Sequence, residues 1–81
     1  MKVDLVSPEE ILWEGEASFV AVPGEQGEIG ILPGRQPVLA TLKKGTVRIT
    51  ATGGEELRFD IELGFVSVDG DIEIVVDHSQ F

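Results

Sequence analysis

The chain has no cysteine and no tyrosine, and only one histidine, one tryptophan and one methionine. Without cysteine there is no disulfide, no thiol nucleophile and no thiolate metal ligand, and a reducing compartment is compatible with the composition. A single histidine, His78, leaves zinc too few soft ligands. Asp77 is too close in sequence to orient His78 in a catalytic triad. None of Ser7, Ser18, Ser67 or Ser79 sits in a nucleophile-elbow motif. His78 is expected on the surface after the last strand, and the chain by itself is expected to be non-catalytic, with no small-molecule substrate and no cofactor.

Positive charge is also scarce. Six basic residues face fifteen acidic ones, a net charge of −9, and the acids are scattered from Asp4 to Asp77. Such a field repels phosphate backbones and anionic lipid, which argues against a nucleic-acid partner and against docking on a bilayer surface. The aromatics Trp13, Phe19, Phe59, Phe65 and Phe81 are not interleaved with basic residues, so no base-stacking platform is apparent. No apolar run approaches a membrane span. The opening Met1-Lys2-Val3-Asp4 has neither a signal-peptide nor a transit-peptide pattern. These absences predict a cytosolic, leaderless chain without direct membrane insertion.

What is present is period-two alternation. At 81 residues and 42% hydrophobic, the chain has material for one packed core and no second domain, so residues 1–81 are read as a single domain. Val47, Ile49 and Ala51 alternate with Thr46, Arg48 and Thr50. Leu57, Phe59, Ile61 and Leu63 alternate with Glu56, Arg58, Asp60 and Glu62. Ile72, Ile74 and Val76 alternate with Asp71, Glu73 and Val75. Successive strand side chains point to opposite faces, so each run gives one apolar and one wet face. Gly53-Gly54 and Asp69-Gly70 between the runs tolerate the positive φ of hairpin turns, which predicts three antiparallel strands joined by hairpins. Shorter strands are expected near 2–6, 11–16, 18–22, 27–31 and 38–42. Ser7-Pro8-Glu9-Glu10 looks like a helix start, but Gly15 follows too soon for more than one turn. The class is all-β, a sandwich or flattened barrel.

Three stretches invite a chemical reading. Pro23-Gly24-Glu25-Gln26-Gly27-Glu28-Ile29-Gly30 is glycine-rich, but it lacks phosphate-loop spacing and carries two acids that repel phosphate. Asp69, Asp71 and Glu73 lack the calcium-loop pattern and are explained by a turn and a solvated strand face. The third stretch, Gly30 to Leu39, holds Pro33 and Pro37, which interrupt any ladder, together with Ile31, Leu32, Val38 and Leu39. Apolar residues in irregular chain either tuck beneath a sheet end or face a partner; the pattern leaves both open.

The string Gly27-Glu28-Ile29-Gly30-Ile31-Leu32-Pro33-Gly34, followed by Pro37-Val38-Leu39, closely resembles the signature of the epsilon subunit of F-type ATP synthases. Val6-Ser7-Pro8-Glu9, Lys44 to Ile49, Gly64 to Val68 and Val76-Asp77 fall in the same order, so the resemblance covers essentially the whole chain. It implies a flattened ten-stranded β-sandwich at the foot of a central stalk, helping to couple rotation to ATP synthesis. The partners it implies are the gamma subunit and the c-ring, on the cytoplasmic face of the bacterial inner membrane. Glu28 matches an acidic residue facing the c-ring, flanked by Ile29, Gly30 and Ile31. Arg35 stands where many members have histidine near the gamma-facing surface, with Pro37, Val38, Leu39 and Ala40 following. Family members commonly continue into a helical hairpin, expected to be absent here. The rival from another class is a lipoyl or biotinyl carrier, which needs a modified lysine at a hairpin tip; Lys43-Lys44-Gly45 lacks the flanking residues. An oligonucleotide-binding barrel conflicts with the charge.

Overall fold

The computed structural model describes residues 1–77; His78, Ser79 and Phe81, weighed above, lie outside the described residues. Eight strands make up the described fold: β1 (Lys2–Val6), β2 (Ile11–Gly24), β3 (Gly27–Ile31), β4 (Val38–Leu42), β5 (Gly45–Ala51), β6 (Glu56–Ile61), β7 (Leu63–Asp69) and β8 (Asp71–Asp77). The all-β expectation holds, with eight strands in place of ten. Part of the difference lies in β2, where the runs expected at 11–16 and 18–22 continue as one strand of 14 residues.

That long strand organises the molecule. Its first half pairs antiparallel with β1, from Val6↔Ile11 to Lys2↔Glu16. Its second half pairs with β5 on one side and β3 on the other, after a register irregularity between Ala17 and Phe19. One layer is therefore β1, β8, β7 and β4 beside the start of β2, and the other is β3, the end of β2, β5 and β6. The β1–β8 pair is parallel; all others are antiparallel. β4 closes back onto β2 through a single residue pair, Gly24↔Leu42. The molecule measures 34 × 26 × 18 Å, and its short dimension suits two sheets about 10 Å apart with side chains outside them.

Between the layers lies an aliphatic core to which every strand contributes, including Leu5, Val20, Ile31, Leu42, Ile49, Ile61, Val66 and Ile74. Each such side chain contributes roughly 1.5–3 kcal/mol on burial. β-Branched residues dominate because they fill a pleated surface with few rotamers to lose. Among the described residues no aromatic side chain belongs to this buried cluster; Trp13 and Phe59 pack against it from its margin.

Hairpins form where the glycines predict them, with Gly54 at φ 100° and Gly70 at φ 80°. One prediction fails at Glu62. The alternation from Leu57 to Leu63 is not one strand: β6 ends at Ile61, and Leu63 opens β7 in the other layer. Crossing between layers shifts which parity faces the core, so Ile61 is buried and Leu63 is 57% exposed. Ser7 starts no helix. Its Oγ accepts from the Glu9 and Glu10 backbone N–H groups at 3.4 and 3.3 Å, a capping geometry that ends in a bend.

Gly64 and Gly53 offer a contrast that tests this packing. A Cβ on Gly64 would run into the Val75 carbonyl oxygen and come within 2.9 Å of Val76 Cα, whereas one on Gly53 meets nothing within 4 Å. Gly64→Ala should therefore cost about 1–3 kcal/mol through overpacking against backbone. Gly53→Ala should change stability by less than about 0.5 kcal/mol. Urea titration of both variants checks this, and equal effects would contradict the β7–β8 packing described.

Candidate functional site

The outer face of the first layer is not uniformly wet. The ladder registers align Ile11, Val6, Val75, Phe65 and Thr41 as one row across five adjacent strands. Ile11 is 63% exposed and Phe65 41%. The next row, Glu14, Asp4, Glu73, Ser67 and Leu39, is polar except at its last position. At the β7–β4 end of the first row, Leu63 and Leu39, each two residues along its strand from Phe65 and Thr41, add further exposed apolar surface.

At that end lies an open groove of about 890 Å³ between the β2–β3 turn, β4 and β7. Its walls include Glu25 and Gln26 from the turn, Glu28 and Ile29 from β3, Leu39 and Ala40 from β4, and Leu63 and Phe65 from β7. The opening has a structural cause. β2 and β4 meet at Gly24↔Leu42 alone, so the layers part on either side of that pair. The floor is mostly apolar and the rim carries the carboxylates of Glu25 and Glu28. Glu28 is not a bare charge, since Arg48 Nη2 on β5 donates to its Oε2 at 3.0 Å.

The residues singled out by sequence divide as follows. Glu28 and Gly30 are exposed and Ile29 is half-buried. Ile31 is fully buried in the core, which corrects its expected place on a partner surface: strand alternation turns it inward while Gly30 faces out. Arg35 and Pro37 are exposed, Val38 and Ala40 half-buried, and Leu39 is 76% exposed. Within the proline-broken segment, Ile31 tucks beneath the sheet while Leu32, 59% exposed, and Leu39 face water. The tucked reading therefore holds at Ile31, while Leu32 and Leu39 are exposed.

The two residue sets expected to face different partners are neighbours. Glu28 and Ile29 share the groove with Leu39 and Ala40. Arg35, in a turn closed by its N–H on the Leu32 carbonyl at 3.2 Å with Gly34 at φ 86°, reaches back to the Gly30 carbonyl at 3.4 Å. Sequence reasoning missed Leu63 and Phe65. The available signal was Leu63-Gly64-Phe65-Val66-Ser67-Val68, a strand with apolar residues on both faces. Lys43 and Lys44 are exposed, but they join β4, paired to β7, with β5, paired to β2 and β6, so they are not a hairpin tip. Among the described residues, no three His, Cys, Asp or Glu side chains converge as metal ligands, and no helix is long and apolar enough to cross a membrane.

Comparison with known proteins bears on these features. Residues 1–80 match the family described as ATP synthase, Delta/Epsilon chain, beta-sandwich domain. The chain is 54% identical over 59 residues to an ATP synthase epsilon chain of Janthinobacterium sp. (strain Marseille), covering 73% of this chain and 42% of that protein. It is 46% identical over 81 residues to an ATP synthase epsilon chain of Bordetella petrii, covering 91% and 57% respectively. The chain thus spans about half the length of the curated relatives it matches. Among solved structures, a chain of the Euglena gracilis mitochondrial ATP synthase (OSCP/F1/c-ring) superposes with a TM-score of 0.85 at 23% identity, over 91% of this chain and 48% of that one. A chain of the Tetrahymena thermophila mitochondrial ATP synthase central stalk and c-ring gives 0.79 at 24% identity, over 95% and 63%. At such identities these two similarities speak to the fold.

The exposure of the groove and the burial of Ile31 predict opposite sensitivities. Leu39→Asp should alter stability by less than about 1 kcal/mol, because its side chain already faces water. Ile31→Ala should cost about 2–5 kcal/mol through cavity formation. Denaturant melts of the two variants decide the matter, and a large loss in Leu39→Asp would show that the groove wall belongs to the core.

Proposed function

The chain belongs to the ATP synthase delta/epsilon β-sandwich family, and from that premise we propose that it is a non-catalytic central-stalk component of a rotary F-type ATP synthase. In this reading it joins the gamma subunit to the c-ring and turns with them, on the cytoplasmic side of a bacterial inner membrane. The observation that carries the reading is the groove. It brings the β3 carboxylate of Glu28 and the apolar β4 and β7 side chains Leu39, Leu63 and Phe65 onto one exposed surface of a rigid sandwich.

The physical division of labour follows from magnitudes. An exposed ion pair contributes about 0–1 kcal/mol. Interface energy is concentrated in a few well-packed aromatic and aliphatic anchors. Phe65, Leu39 and Leu63 therefore supply most of the affinity, while Glu28 and Arg35 fix orientation and discriminate between partners. A sandwich whose inner faces are locked by aliphatic side chains transmits a push without internal slippage, as low interior compressibility requires. The gamma-facing residues are Arg35, Pro37, Val38, Leu39 and Ala40, extended here to Leu63 and Phe65. The c-ring-facing residues are Glu28, Ile29 and Gly30.

Binding to the purified gamma subunit, measured by calorimetry, tests the reading. Phe65→Ala and Leu39→Asp should each weaken association about tenfold or more, the scale of losing a buried anchor. Glu28→Gln should reduce coupling of rotation to ATP synthesis in the reconstituted complex while leaving the melting temperature in place. Unchanged affinity in both apolar variants would remove the groove from the interface.

A further inference from the structure

The Arg48–Glu28 contact spans an unusual path. Arg48 stands on β5 and Glu28 on β3, with β2 between them. The two outer strands are thus about 10 Å apart. Arg48 is directly opposite Ala21 on β2, and Ala21 is opposite Gly30 on β3. Glu28 is opposite Pro23, two residues along β2 from Ala21. A long side chain crosses a strand in this way only where the strand presents a small residue. Ala21 does so: it is 1% exposed, yet it is absent from the core cluster that holds its neighbours Val20 and Val22. Alternation turns it to the outer face, and the bridge from Arg48 to Glu28 runs over that face. The burial of Ala21 fits a side chain laid across it, and the 3.0 Å contact places the Arg48 guanidinium at the far side of β2.

We infer that Arg48 is a positioning residue for Glu28, holding its carboxylate as an oriented, already neutralised pair at the rim of the groove, ready to be covered by a cationic group of a partner. The inference rests on the proposed place of Glu28 in the interface and adds a residue that no motif assigned to it. Covering an unpaired carboxylate is costly, because its hydration is lost while only part of it is repaired by a partner's donor. With Oε2 held by the Arg48 guanidinium, that loss is smaller, and Oε1 remains free to accept from a lysine or arginine N–H of the partner. Preorganisation also spares the entropy of fixing a glutamate rotamer on association. Arg48 side-chain exposure is 35%, against 57% for Glu28, so the glutamate is the outer member of the pair and the arginine supports it from beneath.

The pattern distinguishes support from mere structure. A double-mutant cycle on binding of the full chain to the rotary complex depleted of it provides the test. R48M should weaken binding about fivefold when Glu28 is present, the size expected of a preorganised, half-exposed pair. In an E28Q background R48M should have no further effect. R48K, whose ammonium reaches less far across β2, should recover only part of the loss. Melting temperatures of all variants should stay close together. If R48M weakens binding equally in both backgrounds, Arg48 acts on its own account and the inference is wrong. If E28Q weakens binding while R48M does not, the positioning role falls and the interface reading stands. If E28Q binds as tightly as the parent, Glu28 is outside the interface and both fall together.

Discussion

The passage of β2 from one layer into the other is the constraint on which the remaining structure depends. A strand of 14 residues cannot lie flat against both β1 and β5 without bending, and the register irregularity between Ala17 and Phe19 is where it does so. Because β2 belongs to both sheets, the sandwich is closed along that side. Beyond the bend the end of β2 meets β4 only at Gly24↔Leu42, framed by the Glu25 N–H on the Thr41 carbonyl at 3.1 Å and the Lys43 N–H on the Pro23 carbonyl at 2.9 Å. A sheet seam with one rung encloses little backbone and much open space. The groove is therefore a consequence of how the layers are joined: outward Leu39, Leu63 and Phe65 of β4 and β7 meet, at that seam, Ile29 and Ala40, which pack against the core.

Charge and apolar surface play different parts. The net charge of −9 sets a long-range field that discourages nucleic acid and self-association. It says little about close contact, since salt screens exposed charges beyond about 8–10 Å. Close contact is governed by the few large apolar side chains that interrupt the polar surface: Leu39, Leu63 and Phe65 at the groove, Ile11 at the far end of the Phe65 row, and Leu32 in the loop after β3. The Arg48–Glu28 pair lies between these regimes. It is near enough to the groove to be covered with it and exposed enough to cost little in the free chain.

The fold was legible because each rule acts locally. Alternation in residues 46–51 and 71–76, and the glycines at 54 and 70, depend on neighbours in sequence alone. The proline-broken segment was half legible: prolines end a ladder wherever they stand, but whether Ile31 or Leu32 turns inward is set by the register with β2. The break at Glu62 was hidden because the pattern Leu57 to Leu63 stays alternating through it; only the change of layer reverses the meaning of the parity. Phe65 and Leu63 were missed for the same reason, since an apolar residue on the outer face of a strand looks like a core residue until the opposite face is known to be filled. The Arg48–Glu28 bridge joins residues 20 apart in sequence across a third strand, and no spacing rule encodes such a pair.

Surface economy gives a reason for the two residue sets to adjoin. The chain exposes 4810 Å², and a stable contact covers about 800 Å² on each partner. Two separate contacts of that size would occupy on the order of a third of the molecule. The large outward apolar residues among those described are few: Leu39, Leu63 and Phe65 gather at the groove, while Ile11 and Leu32 stand apart from it. On the proposed reading, a subunit of this size meets two neighbours by sharing a single apolar centre and distributing polar contacts around it. Glu28 would then serve one side of that centre and Arg35 the other. Their placement on adjoining elements, with Arg35 bonded to the Gly30 carbonyl two residues beyond Glu28, sets the two polar contacts side by side at the edge of that centre.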